Sequence, residues 1–170
     1  MAFATDPFTQ VHNALWTLLI ANTLFASKVK AANRIRFDST ETEPIRAAAT
    51  SEDQPWVTIV QSGGSEKDDA RTFAARMLNQ SYEVQVWTGN QRVHKELNPI
   101  KWAIVKAVLG ALGALTTTDA GFVKNVRIAG AWQDRLEPGT EAQASRGWVH
   151  VLTVEVWMDF TIVQLQAVDS

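Results

Sequence analysis

The sequence predicts an α+β fold: a mainly antiparallel β-sheet flanked by two helices, in the order α-(β)-β-β-α-β-β. Three observations predict it. Segments 6–29 and 98–115 open on Asp-Pro and Asn-Pro and then repeat apolar residues at three- and four-residue steps. Segments 71–88 and 148–160 instead alternate apolar and polar residues, the period of a half-buried strand. The strands come in adjacent pairs around the second helix, which favours antiparallel pairing with both helices on one face.

The first helix starts where Asp6 can accept from the free amides of the first turn and Pro7 has no amide to lose. Phe8, Val11, Leu15, Leu18, Leu19, Asn22 and Phe25 form its stripe, Trp16, Ile20 and Leu24 widen it, and Lys28 and Lys30 suit the negative end of its dipole near Val29. A short strand is expected at 33–37, followed by a polar loop over 38–55 of a length that usually serves a contact or stays mobile. The run WVTIVQ at 56–61 reads as a buried strand, ended by a turn at Ser62, Gly63, Gly64 and Ser65, with a second polar loop to Asp69.

Segment 71–88 is the next strand, with Leu78, Tyr82, Val84 and Val86 on one parity, stopped by Gly89-Asn90. The second helix, from Asn98-Pro99 to Leu115, carries Ile100, Ala103, Ile104, Ala107, Val108, Ala111 and Leu112 inward, and its small residues permit close approach. A strand over 122–132 points Val126 and Ile128 inward, and 133–147 reads as a long polar loop. The last strand, 148–160, places His150, Leu152, Val154, Val156, Met158 and Phe160 on one face and Val149, Val151, Thr153, Glu155, Trp157 and Asp159 on the other. One core is expected from Leu15, Leu18, Ile59, Val84, Val86, Ile104, Val108, Ile128, Leu152, Val154 and Val156.

Composition narrows the class. A chain of 170 residues, 46% hydrophobic and 20% charged, fits a single domain over 1–160 with a C-terminal extension at 161–170. It buries roughly 70% of its unfolded surface, so a core needs no disulfide or metal staple. The absence of cysteine removes thiol nucleophiles, disulfides and Cys-based zinc sites together. A net charge of −2 gives no global attraction to nucleic acid. Residues 1–7 carry no Lys or Arg, so no signal peptide is expected, and the apolar windows 14–26 and 100–115 fall short of the roughly 20 residues of a membrane span.

No catalytic, metal or cofactor motif emerges. His12, His94 and His150 are dispersed without ligand spacing, and His150 reads as a hydrogen-bonded, semi-buried residue of the core face. Glu66, Lys67, Asp68 and Asp69 read as a solvated charge cluster, Gly63-Gly64 lacks the surrounding pattern of a phosphate cradle, and Ser62 and Ser145 lack a nucleophile elbow. Charge is uneven: residues 99–132 hold four basic residues and one acid, and residues 133–170 hold two basic residues and six acids, so opposite faces could meet. Seven tryptophans cannot all point inward; Trp87 and Trp157 take the parity away from the core, where an indole packs on a helix or a partner subunit.

The leading helix, WVTIVQ with its Gly-rich sequel, SYEVQVWT, NPIKWAIVKAVLGAL and SRGWVHVLTVEVWMDF together resemble the small tail-terminator and tail-completion (neck) proteins of long-tailed bacteriophages, over most of the chain. The longer 38–55 segment and the tail after Phe160 depart from that pattern. The resemblance implies a non-enzymatic virion protein, without cofactor or metal, assembled in the host cytoplasm. It implies a homo-oligomeric ring, commonly a hexamer, that caps the tail tube protein, stops its polymerisation and meets the head-tail connector or a head-completion protein. DNA would only pass through the ring lumen, and no membrane is involved. Ser62, Gly63, Gly64, Glu66 and Asp68 in one loop, Asp134, Arg135, Glu137 and Arg146 in another, and Trp87 and Trp157 as anchors are the candidate subunit or partner contacts. The alternatives are another neck protein, head-completion or minor tail, or a cone-shaped α+β small-molecule binder or isomerase-like enzyme pairing His150 with Asp119 or Glu83.

Overall fold

The computed structural model describes residues 7–35, 55–67, 75–88, 94–117, 123–137 and 147–161. Its elements run α1 (Pro7–Ala21), α2 (Thr23–Lys28), a 3₁₀ turn (Ala31–Asn33), β1 (Arg34–Ile35), β2 (Trp56–Lys67), β3 (Ala75–Thr88), α3 (His94–Thr117), β4 (Val123–Ile128), β5 (Gln133–Glu137) and β6 (Gly147–Thr161). The fold is α+β. The sheet order is β1-β2-β3-β6-β4, with β5 also on β6, and every pairing is antiparallel except the two-residue parallel contact of β1 with β2.

All three helices cover one face. Val57 and Ile59 on β2, Val84 and Val86 on β3, and Leu152, Val154 and Val156 on β6 lie in cross-strand rows and bury against Val11, Leu15, Trp16 and Leu19 of α1 and Ile100, Ile104 and Val108 of α3. The eleven residues expected in the core all belong to this cluster, with Leu18 and Ile128 at its half-buried margin. Two polar links fix α1 on the sheet: buried Tyr82 donates from its hydroxyl to the Phe8 carbonyl at 3.1 Å, and His12 Nε2 donates to the Ile59 carbonyl at 3.0 Å.

Several boundaries differ from the sequence reading, each for a local reason. The single helix expected over 6–29 is two helices, because Asn22 adopts extended backbone angles and its side chain caps α2 by accepting from the Phe25 amide at 3.0 Å. Asparagine competes for backbone donors in this way and is a poor interior helix residue. Asp6 lies outside the described residues. Arg34 then closes the far end of α2, its guanidinium donating to the carbonyls of Ala26 and Val29; of the strand expected at 33–37, Asn33 belongs to the 3₁₀ turn, Arg34 and Ile35 form β1, and 36–37 lie outside the described residues.

Ser62, Gly63, Gly64 and Ser65 do not end the strand. They continue β2 through a bulge between Gln61 and Gly63, where Gly63 at φ +134° absorbs the extra residue and Gln80 Nε2 donates to its carbonyl. Helix α3 begins four residues before Asn98 and carries Pro99 inside it; burying Leu97 beside Ile100 offsets the hydrogen bond that the proline cannot make. The strand expected over 122–132 ends at Ile128, and part of the expected 133–147 loop is β5. Between Ile128 and Gln133 four residues face two on β6, with Gly130 at φ +97° making the step, so β4 and β5 form one interrupted edge strand. An edge strand pairs on one side only and tolerates charge, which is why QDRLE reads as loop by polarity. The extension expected at 161–170 begins on the last residue of β6, and the rest of it is outside the described residues.

Val154 sits at zero exposure in the middle of β6, between Tyr82 and Ile128, so Val154→Ala should lower the stability measured by reversible urea denaturation by roughly 1 to 3 kcal/mol. Asn22→Ala should cost about 1 kcal/mol through loss of the cap. A change within error for Val154→Ala would mean that this row of the sheet is misassigned.

Candidate functional site

The sheet's second face, turned away from α1, α2 and α3, carries the distinctive side chains. Its rows read Trp56, Trp87 and Val149; Thr58, Gln85 and Val151; Val60, Glu83 and Thr153; and, further along, Asn79, Trp157 and Asn125. Thr58, Val149 and Val151 are buried and the indoles of Trp56, Trp87 and Trp157 half-buried, so this face is far more apolar at one end than a solvated antiparallel sheet. Trp87 and Trp157 therefore take the side expected of them, though neither is fully exposed. Arg127 packs its guanidinium over the Trp157 ring, 5.5 Å from the centroid, and its guanidinium nitrogens reach Glu155 Oε2 at 2.6 Å.

The candidate contact residues do not gather in one place. Ser62, Gly63 and Gly64 lie on the β2–β3 hairpin, paired with the half of β3 that meets Glu155 to Asp159 of β6, and Glu66 is registered against Leu78. Asp134, Arg135 and Glu137 lie on β5, on the opposite side of the sheet and at its other end, with Arg135 registered against Val149 in the row of Trp87. Asp68 and Arg146 fall outside the described residues.

Asp134 is instead tied into its own subunit. His150, only 5% exposed, donates from Nδ1 to Asp134 Oδ1 at 2.6 Å, and Lys101 Nζ of α3 reaches the same oxygen at 3.2 Å while lying 5.3 Å from the Trp132 ring centroid. Partial burial pushes the Asp134 carboxyl up, but the hydrogen bonds and charges of His150 and Lys101 outweigh it and hold its pKa below the ordinary 3.8. The cluster clamps β5, β6 and α3 together. His150 Nε2 is buried with no hydrogen-bond partner among the described residues. Its carboxylate is Asp134, not Glu83, which projects from the opposite face; Asp119 is outside the described residues. The signal available in the sequence was the alternation of Gln133 to Glu137, which puts Asp134 on the parity of His150 once β5 is paired with β6.

Among the described residues no group of three or more His, Asp or Glu side chains could hold a metal ion, and no described helix is long and apolar enough to cross a membrane. No family model and no curated protein matches the sequence.

A carboxyl whose pKa is depressed on folding stabilises the fold above its unfolded pKa and loses that contribution as pH falls through the folded value. Wild type should therefore lose the contribution of Asp134 only as pH falls below the ordinary 3.8. Asp134→Asn should be less stable at pH 7 and show a shallower acid limb in thermal melts from pH 7 to pH 2, about neutral to strongly acid. Parallel wild-type and variant curves across that range would dissociate Asp134 from the clamp.

Proposed function

We propose that the chain is a structural virion protein of a long-tailed bacteriophage, forming a ring at the head-proximal end of the tail that stops tube polymerisation and joins the tail to the head connector. The observation that carries the reading is the apolar, tryptophan-bearing sheet face on the side away from the helices. The half-buried indoles of Trp56, Trp87 and Trp157 and the exposed Trp102 and Leu109 of α3 offer apolar surface that a second subunit could cover, and a head-to-tail contact between unlike patches closes into a ring when its rotation closes. The helix and strand order agrees with the element order on which the tail-terminator resemblance rests, apart from the break at Asn22 and the added β5.

In this reading the ring is homo-oligomeric, with the tail tube protein on one side and the connector or head-completion protein on the other, and DNA passing through its lumen. A head-completion or minor tail role would keep the structural class and change the neighbours. The cone-shaped binder or isomerase reading has less support. Its pocket would occupy the helix-covered face, where Trp16, Tyr82, Ile59 and Ile104 are packed at 2% exposure or less, and its general base would be a histidine engaged with Asp134.

Phage particles made without the protein should carry tails of unregulated length that do not join heads, as measured by negative-stain electron microscopy. Ordinary, head-joined tails would contradict the proposal. A turnover found by unbiased substrate screening and abolished by His150→Ala, with folding intact, would favour the enzyme reading instead.

A further inference from the structure

The devices that blunt the sheet's edges leave one stretch open on each side. On β2, Val57 and Thr58 are covered by β1 and the Ile59 carbonyl takes the His12 ring, but among the described residues no strand pairs with the outer side of β2 from Gln61 onward. On the far edge none pairs with the outer side of β4 from Val126 to Ile128, beyond which the step at Gly130 interrupts the strand. The two stretches lie at the same level of the sheet. One cross-strand row runs Gln61, Tyr82, Val154, Ile128, and another runs Gly64, Gln80, Val156, Val126.

Backbone direction matches as well. The Ala129 amide donates to the Thr153 carbonyl, so strand alternation turns the backbone groups of Ile128 and Val126 away from β6. Ile59 faces away from β3 to meet His12, and the same alternation, followed along the rows, turns Gln61 and Gly64 outward. Each edge therefore offers its N–H and C=O groups in the same two rows. β2 and β4 run in opposite directions, so these edges laid together pair antiparallel. The helices above them carry a second, independent observation: α1 packs on β2 and α3 on β4, and the exposed large apolar side chains among the described residues are Ile20 of α1 and Trp102 and Leu109 of α3.

We propose that the open stretch of β4 in one subunit pairs with that of β2 in a second copy of the chain, Ile128 opposite Gln61 and Val126 opposite Gly64, making one continuous sheet. The seam brings α3 of one subunit beside α1 of the next, the two helices that hold the exposed apolar residues. Its two edges are unlike, so the contact is head-to-tail, and joining matching rows adds no translation along the strands as it repeats around a ring. The inference rests on the ring reading and names the seam between subunits.

The chain has no cysteine, so a disulfide can report the seam directly. Within one subunit Gln61 and Ile128 are three strand spacings, about 14 Å, apart, whereas residues facing each other across an antiparallel pair bring their Cα atoms to about 5.5 Å, within disulfide reach. The full chain carrying Gln61→Cys with Ile128→Cys should give, on oxidation, a ladder of linked subunits in non-reducing electrophoresis that collapses with reductant. Glu66→Cys with Ile128→Cys, held apart along the strands by the same register, should not. Equal ladders from both pairs, or assembly by native mass spectrometry without linkage of the first pair, would overturn the seam and leave the ring reading standing. Wild type that remains one subunit at every concentration would remove the ring reading and the seam with it. Should the cysteine pair fail to fold, Gln61→Pro, which removes an outward N–H, must raise the concentration needed for assembly by about tenfold or more; unchanged assembly overturns the proposal.

Discussion

The antiparallel pairing of β3 with β6, continuous from Ala75 opposite Thr161 to Thr88 opposite Trp148, sets the positions of nearly everything else in the molecule. Side chains alternate with a period of two, so this register places Tyr82, Val84 and Val86 with Val154, Leu152 and His150 under the helices. It places Glu83, Gln85 and Trp87 with Thr153, Val151 and Val149 on the other side. A slip of one residue would exchange the two sets, burying Glu83 and exposing the valines, at a cost no local adjustment could recover. The remaining elements attach to this pair: β2 to β3, β4 and β5 to β6, α1 through the Tyr82 hydroxyl, and α3 through Lys101 and Asp134.

Such a sheet has two vulnerable edges, and each is treated differently. On the β2 side, the two-residue β1 covers Val57 and Thr58, the His12 ring satisfies the Ile59 carbonyl, and the Gly63 bulge twists the strand beyond. On the other side, the edge is broken between β4 and β5 at Gly130, and the His150, Asp134 and Lys101 cluster fastens the second piece. With the edges blunted in this way, the large apolar side chains that stay exposed among the described residues lie on helices, Trp102 and Leu109 on α3 and Ile20 on α1.

Much of this was legible in the sequence because periodicity reports burial. The alternation of residues 148–160 identified the core face of β6 down to His150, and the α3 stripe located Ile104 and Val108 against it. What escaped was decided by single polar groups and by edges. Asn22 fits the helical stripe by spacing, and only its competition for the Phe25 amide breaks the helix. Gly63 and Gly64 have the composition of a turn, yet their freedom is used to carry β2 past a bulge. Gln133 to Glu137 is too polar to announce a strand, and its partner His150 could not be assigned without that pairing. The outward tryptophans were visible from parity, whereas the exposed Trp102 and Leu109 were hidden within a helix whose inward stripe already accounted for its apolar content.

Residue-resolved hydrogen exchange on the native protein tests the primacy of the β3–β6 pairing most directly. Amides in the central rows, residues 82–86 and 154–156, are flanked by strands on both sides and should exchange only through global unfolding, outlasting those of α1, α2 and β5. Exchange that is slowest in α1 or α3 and faster in those two strands would contradict that primacy, since the helices would then form the foundation on which the sheet is laid.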